Sequence, residues 1–189
     1  MGAVHTHLGR LDEARTDLEA ALALNGQDGT RTLEAWCLHH LAQVEFAAGR
    51  LDEAEDLARQ AQLLAGELGD ELTVAGAQLV RGEVATQRGD FPAAEAACQQ
   101  ALEVNCRMGH AAGQLRVLAA LSRLALAQED AARACALAER ALAVEGTSNL
   151  LLERAPLLAV YGQALCVLDD PRSEAIQAEA AELYRKMKK

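Results

Sequence analysis

Large aromatic side chains are almost missing from this chain. Two Phe, two Tyr and one Trp make up 3% of 189 residues, so a core built around rings is not expected. Proline occurs three times, and no stretch alternates apolar and polar residues for long enough to form a strand. No apolar run approaches the roughly 18 residues that a membrane span needs. Positive charge is scarce as well: 18 Lys and Arg face 28 Asp and Glu, a net charge of -10. That balance argues against nucleic acid or an anionic membrane as a partner, because both need clustered cations. The one basic cluster, Arg185, Lys186, Lys188 and Lys189, ends a predicted helix, where cations complement the helix dipole.

Cysteine pairing is not indicated. The five cysteines are odd in number, widely spaced and free of any CxxC, which reads as a reduced, cytoplasmic chain. Residues 1–20 carry His, Arg, Asp and Glu throughout, unlike a signal peptide. Catalytic signatures are also missing, with no HExxH, GxSxG or phosphate loop. His5 and His7 stand about 200° apart round a helix and cannot share an ion; His39 and His40 likewise face different ways. No catalytic residue, metal or cofactor is expected.

What the chain has in quantity is alanine and leucine, arranged with a fixed period. A shift of 40 residues brings Gly9, Gly49 and Gly89 into register, with Ala14, Ala54, Ala94 and Ala134, and with Ala21, Ala61, Ala101 and Ala141. The segments 9–14 and 49–54 are identical, Gly-Arg-Leu-Asp-Glu-Ala. A period in this range means stacked supersecondary units, which offer an extended surface; binding is therefore the default function.

Each unit holds two helical patterns. Leu33, Cys37, Leu41, Val44 and Ala48 form one stripe, and Leu51, Ala54, Ala58, Ala61, Ala65 and Leu68 form the next. The periodicity predicts helices over about 1–8, 11–26, 30–48, 51–68, 70–88, 91–108, 111–128, 131–145, 150–168 and 171–187. Gly49, Gly69 and Gly109 are read as C-terminal stops, with Gly29 and Asn149 in equivalent places. Asp70 and Asp90 are placed as N-caps, and Asp170 before Pro171 as the cap of the last helix. Pro156 marks either a later start near Ala155 or a kink. Residues 1–8 align with 41–48, the back half of a first helix, so the array is read as cut inside its first unit. The units run roughly 1–29, 30–69, 70–109, 110–149 and 150–189, in a single domain over 1–189.

Small residues recur where helices must cross closely: Ala42, Gly82, Ser122 and Gly162, then Ala54, Ala94 and Ala134 twelve residues later, then Ala61, Ala101 and Ala141 after seven more. Spacings of 12 and 7 resemble the tetratricopeptide repeat. The unit is longer than the usual 34 residues, and Gly26, Gly66, Cys106 and Gly146 replace the proline that often ends it. These features look like the long-unit variety found in Pins/LGN scaffolds and in the sensor region of bacterial regulators of the maltose-activator type. Glu67-Leu68-Gly69-Asp70 looks particularly like the bacterial arrays.

The resemblance implies an all-α, right-handed α-α superhelix of about four to five helix pairs, its first helix truncated, with a concave face lined by the first helix of each unit. It places Trp36, His39, Gln43 and Phe46 inward in one unit, Leu79, Glu83 and Thr86 in the next, then Arg116 and Arg123, then Gln163. The row Gln43, Glu83, Arg123 and Gln163 is polar at every step, and side chains of this kind can hold the backbone of an extended peptide while Trp36 and Phe46 anchor it. The expected partner is a protein or peptide. A second reading is an effector-sensing segment of a multidomain bacterial regulator. A third is architectural self-association, with a homodimer through residues 1–30 where Leu22, Leu24 and Leu33 are left uncovered by the shortened first helix.

Overall fold

The alanines that recur every 40 residues are fully buried, Ala21 excepted. Ala54, Ala94, Ala134, Ala61, Ala101 and Ala141 are each fully buried, as are Ala42 and Ser122, and Gly82 and Gly162 are buried with them. Their small volume decides what can pack there, because helix axes approach to the short end of the usual 8–10 Å only where side chains at the contact are small. The structure, a computed structural model, describes residues 10–28, 30–144 and 150–187. It contains nine α-helices and no strand among those residues. The predicted helix at 1–8 and the turn residues Gly29 and Asn149 lie outside them.

The chain divides into two compact units, Met1–Arg88 and Gly89–Lys189. In the first unit the helices are α1 (Leu11–Asp28), α2 (Arg31–Ala47), α3 (Leu51–Leu68) and α4 (Glu71–Arg88). Successive helices pack on each other, and α2 also packs beside α4. One apolar cluster joins Ala14 and Leu18 of α1 to Cys37, Leu41 and Val44 of α2. A second joins Ala42 of α2 to Ala54, Ala58 and Ala61 of α3 and to Ala77, Val80 and Val84 of α4. In the second unit the helices are α5 (Phe91–Arg107), α6 (Ala111–Ala127), α7 (Ala131–Leu142), α8 (Leu151–Val167) and α9 (Ser173–Met187). The pattern repeats there, with successive helices in contact and α6 beside α8.

Glycine sets the closest approaches. A Cβ on Gly76 of α4 would stand 2.7 Å from the His39 ring of α2. A Cβ on Gly113 of α6 would meet Asn105 Oδ1 of α5 at 1.7 Å, and one on Gly162 of α8 would meet Gln177 Cγ of α9 at 2.6 Å. Asn105 is itself buried, donating from Nδ2 to the Ala101 carbonyl at 2.7 Å and bonding the His110 ring at 2.9 Å. Gly113 is bare because that side chain already fills the space.

The turns follow one plan. Gly49, Gly69, Gly89 and Gly109 all take positive φ, between 63° and 77°. The amide after the glycine donates to the carbonyl five residues back: Arg50 to Glu45 at 2.9 Å, Asp70 to Ala65 at 2.9 Å, His110 to Asn105 at 2.9 Å. This satisfies carbonyls that a helix end leaves open. Asp70 accepts from the Thr73 amide and hydroxyl, and Asp90 accepts from the Ala93 amide, so both cap as their positions predict.

One open alternative is decided and one expectation is corrected. Pro156 does not delay its helix: α8 begins at Leu151 and the proline lies inside it. Its missing N–H forfeits one bond of the ladder. Asp170 does not cap α9, which starts at Ser173. Its carboxylate is held by Arg172 instead, through the backbone amide at 2.8 Å and the guanidinium at 3.0 Å, leaving Pro171 in the connecting turn.

The turn position also reveals strain that the period alone conceals. Glu129 and Asp169 stand 40 and 80 residues after Gly89, and both take the same left-handed backbone, at φ 60° and 53°. The Asp130 amide donates to Ala125 and the Asp170 amide to Leu165, each at 2.9 Å, as in the glycine turns. Aspartate tolerates this region better than glutamate does. Glu129→Gly is expected to raise the stability by about 0.5–1 kcal/mol, measured by chemical denaturation; a loss of stability would contradict the assigned turn.

Candidate functional site

On each described first helix the small crossing residue is followed by a polar one. Ala42 is buried and Gln43 half-buried; Gly82 is buried and Glu83 half-buried. In the second unit, Ser122 is buried and Arg123 half-buried, and Gly162 is buried while Gln163 is exposed. One step of 100° turns each polar side chain out of the crossing. Within the first unit, Gln43 and Glu83 flank the contact that α2 makes with α4, since Ala42 and Val84 share its apolar cluster. Arg116 is half-buried on α6. The Arg123 charge favours ionisation of the Tyr184 phenol on α9, although burial, the larger effect, raises that group.

Of the other predicted residues, His39 and Leu79 sit deeper. His39 is 5% exposed, with its ring against Gly76, and its Nε2 stands 3.3 Å from Gln43 Nε2. Leu79 is 4% exposed. Phe46 packs on the second apolar cluster of the first unit. Thr86 returns its hydroxyl to the Gly82 carbonyl at 2.9 Å, satisfying itself within α4. Trp36 is 39% exposed, and its ring centroid lies 4.1 Å from that of His40. A depression of about 550 Å³ opens beside it, lined by Thr30, Thr32, Leu33, Trp36 and Asp70.

Sequence reading missed three features. His40 bonds Gln43 Oε1 through Nδ1 at 2.9 Å, which ties one member of the polar row to the tryptophan. Glu45 of α2 is 6% exposed and is held by Arg15 at 2.6 Å and by Arg50. Ala85, Ala125 and Leu165 occupy its place in the other units, so the charge in an apolar register was the available signal. In the second unit Tyr161 donates to Glu139 Oε1 at 2.7 Å while Arg172 lies over its ring, 6.0 Å from the centroid. Burial, reinforced by the Glu139 bond, pushes the Tyr161 phenol up to about 12. The Arg133 hydrogen bond holds Glu95 below the usual carboxylate range, and burial raises the thiols of Cys37 and Cys135. Among the described residues, no group of three His, Cys, Asp or Glu could hold a metal ion, and no helix is long and apolar enough to cross a membrane.

Successive helices packed in pairs with small residues at their crossings, and first helices side by side within each unit, define an all-α helical-repeat protein. Residues 1–62 match the model of the tetratricopeptide repeat family. The crystal structure of BtubC (BKLC) from P. vanneervenii is similar to this chain at 23% identity and a TM-score of 0.67, over 95% of this chain and 75% of that one. Two structures of a Podosopora anserina kinesin light chain protein with nearly identical TPR-like repeats, one of them a point variant, match at 17% identity and a TM-score of 0.58. Each covers 97% of this chain; the variant is covered over 88% of its own length and the other over 90%. No curated protein matches. Residues 1–62 are thus similar to the tetratricopeptide repeat family, and the chain shares the fold of TPR-like helical-repeat structures.

The Tyr161 network carries a pH test. A phenol held near 12 in the folded chain and near 10 in the unfolded one adds stability that is fully present below pH 10 and lost as the pH rises towards 12. Urea unfolding of the native chain should therefore lose about 2 kcal/mol more than Tyr161→Phe does across that window. Parallel curves for the two would contradict the buried phenol.

Proposed function

We propose that this chain is a binding scaffold for a protein or peptide, and that the polar row on its first helices makes the contact. The tetratricopeptide fold is a general protein-interaction scaffold. The observation that carries the finer reading is the repeated pairing of a buried small residue with an outward polar one: Gln43 and Glu83 in the first unit, Arg123 and Gln163 in the second. Helices dominated by Ala and Leu have no packing need for a polar group at that step. A partner segment gains hydrogen bonds there, and the row combines neutral and charged groups that can set its register.

Trp36 and Thr86 stand at the margin of the proposed surface in the first unit, and Arg116 at its margin in the second. His39, Phe46 and Leu79 support it from behind, since their burial makes them part of the helix contacts rather than first points of recognition. The five free thiols, three of them buried, support a reducing cytoplasmic setting. The acidic net charge favours a partner with a basic segment.

The test is affinity capture from source cytosol on the native chain and on a Glu83→Lys/Arg123→Glu variant, with circular dichroism melting to establish that both are folded. A protein retained by the native chain and reduced at least tenfold on the variant is expected. Equal retention of every bound protein would remove the polar row from the account.

A further inference from the structure

We draw no further inference here: the strongest candidate, the depression of about 360 Å³ between α1 and α3 where Arg15, Glu19, Glu45, Arg50, Glu53 and Asp56 meet, carries nothing, because both of its guanidiniums are held by Glu45 and what remains is an acidic cluster with no second observation in the structure that points to a ligand.

Discussion

The close crossing of helices at small residues is the constraint on which the rest of this structure depends. Ala, Gly and Ser at the crossings let backbones approach, and the approach turns weak individual contacts into dense packing. With so few aromatic residues, the interior is filled by this close approach together with buried leucines such as Leu118, Leu121 and Leu158. A large side chain at any of these positions would separate two helices. Through the stacked arrangement it would also disturb the neighbouring pair, since repeat stability is a sum of unit and nearest-neighbour terms.

The proposed function inherits this constraint. Because the crossing residue is small and buried, the residue one step on is turned out of the crossing. That is why a polar row can exist on otherwise apolar helices, and why its members share one register while differing in chemistry. The same logic marks Trp36 as an exception: a large ring stands where the next unit has a bare glycine.

Much of the fold was legible in the sequence for physical reasons. Alanine at a fixed period specifies helix and closeness together, and the left-handed turns at Gly49, Gly69 and Gly109 announce themselves because few other residues take that backbone readily. Glu129 and Asp169 were not legible as turn residues, because their identity argues against the conformation their neighbours impose. Pro156 was ambiguous, as local preference and tertiary packing pull in opposite directions and packing prevailed. The site was legible only in part. The family resemblance placed Gln43, Glu83, Arg123 and Gln163 one step beyond the crossings, but it also drew in His39 and Leu79, whose burial depends on the neighbouring helix and not on their own sequence position. Glu45, Tyr161 and Arg172 owe their importance to partners 20 or more residues away, which no local pattern reveals.

The central claim is that small residues hold the helices at contact distance, and the contact of Gly76 with His39 tests it most directly. A double-mutant cycle by urea unfolding would compare Gly76→Ala in the native chain with Gly76→Ala in His39→Ala. Alanine is the better helix former by about 1 kcal/mol, so without a clash it should stabilise. The account predicts that Gly76→Ala destabilises the native chain and stabilises the His39→Ala chain, with a coupling of about 1–3 kcal/mol. Equal stabilisation in both backgrounds would mean that the helices do not meet there, and would contradict the packing from which the rest is derived.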